Sequence, residues 1–304
     1  MSIDASTHDT PTPSGAVVAA LDGSHRDDAV IAWAVAEAAA LSAPLHLVHA
    51  VDLGTPLSAY GELLTSLEIL ERVEQESTKV VVDAAARVRS ESPDLAVTTA
   101  LPTGSPTGAL LAAAEGARVL VVGSARKNRA ERIVLGTTSL SVVAHAPCAV
   151  VLVPEDVGTK GDGRVVVGID GSQHSRLAFD YALEASLVRA RAVTAVTSWN
   201  VEVVNGVVVT EPGSPEWARV DARYREMAER TIAEGRAAHP EVDVTVEVRH
   251  GRAADVLVEV AAGADLLVVG SRGRGGFRGL LLGSVSQRVL ALATCPVAVL
   301  HRRG

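Results

Sequence analysis

Aromatic residues make up only 3% of this 304-residue chain, and cysteine and methionine occur twice each. A core with so few rings must be built from Val, Leu and Ala, as in parallel sheets buried on both faces. Two cysteines, Cys148 and Cys295, are too few for a disulfide-stapled secreted scaffold. They lie 147 positions apart in matching apolar contexts, which predicts two buried thiols suited to a reducing compartment rather than a bridge. His49, on an alternating strand pattern, is expected to be packed or hydrogen-bonded; no other His has Cys or carboxylate neighbours at metal-ligand spacing. Positive charge is also short, 28 Lys plus Arg against 36 Asp plus Glu, a net −8 that disfavours nucleic acid and anionic membrane as partners. No apolar run reaches the roughly 18 residues needed to span a bilayer, and residues 1–14 have neither a basic start nor an apolar stretch. The expectation is a cytoplasmic protein without membrane insertion, beginning with a loose polar tail.

What is present is a repeat. Leu266-Leu-Val-Val269 runs into Gly270-Ser-Arg-Gly273, and nine residues further stands Gly283-Ser284. Val119-Leu-Val-Val122 runs likewise into Gly123-Ser-Ala-Arg126, with Gly136-Thr137 beyond, each 147 positions before its counterpart. A strand that gives way to a Gly-rich loop and then to a hydroxyl at a helix entrance is an arrangement suited to an anion such as a phosphate. It is not a P-loop, because no Gly-Lys-Ser or Gly-Lys-Thr follows the glycines. Nor is it the dinucleotide fingerprint, which belongs after the first strand, where this chain has only Asp-Gly-Ser in each half.

Each half reads as five strands alternating with helices, an α/β pattern that predicts two tandem doubly wound domains with parallel five-stranded sheets. The expected boundaries are 1–14 for the tail, 15–153 for domain 1, 154–163 for a polar Gly-rich linker and 164–304 for domain 2. Ser24 is expected to cap the first helix with Asp27 as its capping-box partner. Strand 4 is expected to end at Val122. Two β-branched runs around Asn205-Gly206 predict a hairpin without counterpart in the first half. It is readable as a flap over the second site, a pairing edge for another subunit, or a surface decoration.

In a doubly wound sheet the ligand crevice lies beyond the carboxyl ends of the strands where their order reverses. Asp22 and Asp170 end strand 1 while Gly123 and Gly270 end strand 4, so each pair is expected to border one crevice. Arg272-Gly-Arg-Gly-Gly-Phe-Arg278 is similar to an RNA-binding segment, but one short copy in an acidic protein is weak support. Arg274 and Arg278 are expected to face solvent or a phosphate.

These residues resemble the universal stress protein family in its tandem form, whose nucleotide-binding signature is Gly-x2-Gly-x9-Gly-[Ser/Thr]. Gly270, Gly273, Gly283 and Ser284 match it completely, and the resemblance covers nearly the whole chain. It implies a flavodoxin-like fold, ATP, with Mg2+, bound in the crevice, and a homodimer. It places Asp170 near the ribose or metal shell and Ser198 beside the adenine. Val269 and Arg272 would border base and sugar, and Gly283, Ser284 and Val285 would take the phosphates. In the first half Asp22, Ala50, Val122, Gly123, Gly136 and Thr137 would serve in the same way. Arg126 stands where the second Gly belongs, so weaker or altered binding is expected there.

The implied function is an ATP-binding stress-response regulator whose nucleotide occupancy alters conformation or the choice of a protein partner. The alternatives are a nucleotide-independent interaction scaffold, in which the glycines serve as turns, and a slow ATPase. No general base or loop Lys supports rapid turnover.

Overall fold

The computed structural model describes residues 10–52, 67–126, 133–134, 136–155, 161–189, 192–201, 203–204, 207–208, 211–274 and 281–301. The chain divides into two compact units between Asp156 and Val157.

In the first unit the strands are β1 (Val17–Leu21), β2 (Leu45–His49), β3 (Val97–Ala100), β4 (Val119–Arg126), the short β5 (Ile133–Val134) and β6 (Ala149–Pro154). The helices are α1 (Asp27–Ala40), α2 (Leu67–Glu91), α3 (Pro106–Ala114) and α4 (Thr137–His145). Five strands lie parallel in the order β3-β2-β1-β4-β6. The chain steps from β1 outward to β2 and β3, then returns to β4 on the other flank. That reversal opens a crevice between the ends of β1 and β4.

The second unit repeats the plan with β7 (Arg164–Gly168), β8 (Ala192–Trp199), β11 (Val244–His250), β12 (Leu266–Gly270) and β13 (Val297–Leu300). Its helices are α5 (Gln173–Arg189), α6 (Pro215–Ala238), α7 (Ala253–Val260) and α8 (Ser284–Leu292). The order β11-β8-β7-β12-β13 is again wholly parallel, with the reversal between β7 and β12. The fold is thus α/β, two tandem doubly wound units. β9 (Val203–Val204) pairs with β10 (Val207–Val208), antiparallel and separate from the main sheet, while the expected turn at Asn205 and Gly206 lies outside the described residues.

The central strands are apolar on both faces because helices cover both. Val119, Leu120 and Val121 of β4 and Leu267 and Val268 of β12 are fully buried. Both cysteines are buried free thiols. Helix starts follow their caps: Ser105 accepts from the Gly108 amide before α3, and Ser214 accepts from the Trp217 amide before α6, each with Pro opening the helix. The expected cap on α1 is not what forms. The Ser24 side chain accepts only from the Arg26 amide, and Asp27 instead reaches back to the amides of Asp22 and Gly23. The Asp27 amide, which a Ser24 cap would have taken, bonds to the Ser24 carbonyl at 3.1 Å instead. In the second unit, where Ser175 replaces that acid, Ser172 does accept from the Ser175 amide. β4 also runs past Val122 to Arg126, because Ala125 and Arg126 pair with β5.

His46 on β2 is fully enclosed, with Nδ1 at 2.8 Å from the Thr98 hydroxyl on β3. Burial lowers its pKa from 6.5 to about 4. The folded state therefore resists a proton that the unfolded chain accepts. This contribution to stability is complete above pH 6.5 and is lost as pH falls from there toward 4. Urea unfolding of the full chain is expected to show it as a loss on the order of 3 kcal/mol. His46→Gln, which keeps a polar atom for Thr98 but cannot titrate, is expected to flatten the pH dependence in that window; an unchanged slope would contradict it.

Candidate functional site

The reversal between β7 and β12 holds a cavity of about 630 Å³. Every second-half residue singled out from the sequence lines it: Asp170, Ser198, Val269, Gly270, Arg272, Gly273, Gly283, Ser284 and Val285. One wall is apolar, with Ile169, Val196, Leu257 and Val269 all nearly inaccessible to water. The opposite rim is the loop after β12 and the start of α8.

Asp170 organises that rim. Its Oδ1 accepts from the Ser172 amide and its Oδ2 accepts from the Arg274 amide, both at 2.9 Å. One carboxylate at the end of β7 thereby holds the loop that leaves β12. Gly273 sits directly against it: a Cβ there would lie 2.4 Å from Asp170 Oδ2. The residue is glycine for room, since its φ is not in the left-handed region. Gly270 is equally constrained, because a Cβ would stand 2.7 Å from the His174 Cβ on α5. The far end of the loop is fixed by Ser271, whose carbonyl accepts from the Gly283 amide at 2.7 Å and from the Ser286 hydroxyl at 3.1 Å.

The helix entrances at the two sites share a distinctive state. α4 and α8 begin at Gly136 and Gly283 with no capping side chain and no acid in the first turn. The other helices with described starts are served. α3, α5 and α6 are serine-capped, and α1 and α7 carry Asp27, Asp28 and Asp255 in their first turns. The amides of Ser284, Val285 and Ser286 have no acceptor within the helix, and the positive end of the helix dipole faces the cavity uncompensated. An anion fits that end.

The first unit has a smaller cavity, about 410 Å³, lined by Asp22, Ala50, Val122, Gly123 and Gly136. Thr137 is not among its lining residues; Thr138, one position on, is. The Asp22 carboxylate is used differently from its counterpart. Its Oδ2 pairs with Arg26 Nη2 at 2.6 Å, and its Oδ1 accepts from Ser24, so it holds its own turn. Burial pushes the Asp22 carboxyl up, but hydrogen bonds from Ser24 and Arg26 outweigh this and hold it below the usual carboxylate range. Asp27 is raised, by burial first and by the charge of Asp22 as well. Backbone at Arg126 is extended strand paired with Ile133, so the loop shape seen around Gly273 is not reproduced.

His49 Nδ1 donates to the Leu21 carbonyl at 2.9 Å, a hydrogen-bonded rather than nucleophilic arrangement, although the ring lines the first cavity. Trp199 is buried behind Ser198, donating to Asp221 and packed edge-on against Trp217 at 4.5 Å. Arg26 and Asp27 in the first cavity, and Tyr224, Met227 and Leu257 in the second, were not among the expected site residues. The i,i+4 spacing of Asp22 and Arg26 was a readable signal for one of them. The helical residues give none, because their role depends on how α6 and α7 lie over the sheet. Arg278 lies outside the described residues.

A model described as the universal stress protein family matches residues 14–154 and again 163–301. A universal stress protein of Mycolicibacterium smegmatis is 32% identical over 292 residues, covering 94% of this chain and 97% of its own. Another, from Mycobacterium tuberculosis strain H37Rv, is 34% identical over 299 residues, covering 95% and 98%. Among solved structures, a universal stress protein from Archaeoglobus fulgidus superposes with a TM-score of 0.72 at 19% identity over 96% of this chain and 99% of its own, a likeness of fold. No described helix is long and apolar enough to cross a membrane.

The contrast between the two glycines at the sites is testable without any ligand. Gly273→Ala is expected to push Asp170 off the Arg274 amide and to lower stability by about 1–3 kcal/mol in urea unfolding. Gly136→Ala, whose new Cβ meets no described atom within 4 Å, is expected to shift stability by less than about 0.5 kcal/mol. Equal effects would contradict the close-approach account of Gly273.

Proposed function

The chain belongs to the universal stress protein family, whose members serve the stress response, and from that premise we propose that its second unit binds ATP as a regulatory ligand. The observation that carries this reading is one cavity in which a buried apolar wall faces unpaired main-chain donors. A purine ring requires the first and a polyphosphate the second. In this reading the base lies against Ile169, Val196 and Val269, beside the backbone at Ser198. The ribose lies near Asp170, and the phosphates meet the amides of Ser284, Val285 and Ser286 with Arg272 and Arg274 adding charge. Gly273 leaves the close path to the sugar and phosphates open.

Magnesium enters this reading only with the nucleotide. Among the described residues Asp170 is the sole acid lining the cavity, and both its oxygens already accept amides. Among the described residues no group of three or more His, Cys, Asp or Glu gathers to hold a metal. Phosphate oxygens and water would supply most of the ion's shell, as is usual for Mg2+. Among the described residues no His, Lys or Glu lines the cavity, so hydrolysis is expected to be slow at most and the nucleotide to act by occupancy. The first unit is expected to bind ATP more weakly, because Arg26 neutralises Asp22 there and Arg126 replaces the open glycine. A homodimer and a protein partner responsive to occupancy complete the proposal.

Isothermal titration of the full chain with ATP is expected to show one dominant site. Gly273→Arg, which copies the first-half residue into the second, is expected to weaken it at least tenfold. Absence of binding in the unaltered protein, or an unchanged affinity in the variant, would overturn the assignment and favour a nucleotide-independent scaffold.

A further inference from the structure

The outermost strand of a sheet offers a row of main-chain donors and acceptors with which a further strand can pair. β11 is the outermost strand of the second unit and β3 that of the first, and among the described residues neither has a strand on its far side. β11 is the more open to such pairing. It runs for seven residues against four in β3, with valine alternating at 244, 246 and 248. A run of that length and composition suits the addition of a strand from a second copy of the chain.

The direction of each main-chain group follows from the ladder. The Val193 amide bonds to the Asp243 carbonyl, so Asp243 and, in alternation, Thr245, Glu247 and Arg249 turn their main-chain groups inward to β8. Val244, Val246, Val248 and His250 turn theirs outward. In the first unit the Leu45 amide bonds to the Ala96 carbonyl, which leaves Val97 facing outward on β3.

Arginines from the long helices meet these outward carbonyls. Arg236 Nη2 donates to the Val244 carbonyl, and Arg225 Nη1 donates to the Val246 carbonyl at 2.9 Å, both reaching from α6. Glu229 accepts from Arg236 Nη1 at 2.7 Å and so holds that guanidinium from its other side. The first unit has one contact of the same kind. Arg89 Nη2 on α2 donates to the Val97 carbonyl at 2.9 Å, and Arg89 and Val97 stand 147 positions before Arg236 and Val244. Thr78 occupies the place equivalent to Arg225, so the longer edge is the one with a second arginine. Each guanidinium takes up an acceptor and also puts a bulky cation where an incoming backbone would lie. With Val244 and Val246 occupied, at most Val248 and His250 are left, fewer than a stable strand pairing uses.

We propose that Arg225 and Arg236 close the outer edge of the second sheet to strand addition by a second copy of this chain, which excludes that edge from the homodimer proposed above. Sedimentation velocity of the full chain over a range of concentrations tests this. Arg225→Met with Arg236→Met keeps the apolar stems and removes the donors. It is expected to strengthen self-association at least tenfold over the unaltered protein, although losing two cations from an acidic chain by itself opposes association. Amide exchange locates the contact: the Val244, Val246 and Val248 amides are expected to slow in the associated species. Arg225→Lys with Arg236→Lys, which restores a donor at each place, is expected to behave as the unaltered protein does. If circular dichroism shows the double Met variant unfolded, each single Met variant carries the test, and an intermediate gain in association is expected. Unchanged association in the folded Met variants, association without protection of β11, or equal association by the Lys pair would overturn the proposal. No nucleotide is added, so the outcome is independent of whether the second unit binds ATP.

Discussion

The second site depends on one carboxylate. Asp170 ends β7 and accepts two main-chain amides, one from its own turn and one from the loop that leaves β12. That pair of bonds brings the two central strands' loops together across the point where strand order reverses. It also explains the glycine beside it, since any side chain at Gly273 would displace the carboxylate oxygen 2.4 Å from its Cβ position. With the loop held there, the start of α8 is left bare, and the amides and dipole of that helix face an apolar-walled cavity. Charge-assisted bonds to backbone donors are among the stronger local interactions, so this rim is set before any ligand arrives.

Duplication shows which parts of the design can change independently. Both units keep the buried apolar strands, the Asp-Gly-Ser turn and the uncapped helix entered from glycine. They part at the acid's partner. In the first unit Arg26, from the neighbouring helix start, takes Asp22 Oδ2, and β4 continues into extended pairing at Arg126 where the second unit has a loop. The two changes belong together: a carboxylate satisfied within its own turn no longer needs a loop amide, and a loop released from it is free to become strand.

Much of this was legible in the chain because it is written in local pattern. Val-rich runs, the spacing of the glycines and the 147-residue period gave the alternating elements, the sheet class and the positions that meet at the second crevice. Asp170 and Gly270, a hundred residues apart, were brought together by topology alone, because strand order decides which strand ends adjoin. The misses are tertiary. Ser24 fails as a cap because the Asp27 amide bonds to its carbonyl, at 3.1 Å, and not to its hydroxyl, a matter of local geometry rather than residue preference. Thr138, not Thr137, lines the first cavity, a placement that depends on how α4 lies over the sheet. The continuation of β4 depends on pairing with Ile133 and Val134.

Amide hydrogen exchange of the full chain, with and without ATP, measures the central claim at the residues that carry it. ATP is expected to slow exchange at Gly270 to Arg274 and at Gly283 to Ser286, while amides around Gly123 and Gly136 change little at the same nucleotide concentration. Protection absent from the second unit, or equal in the two, would contradict the claim that Asp170 and Gly273 shape a nucleotide site stronger than the one in the first unit.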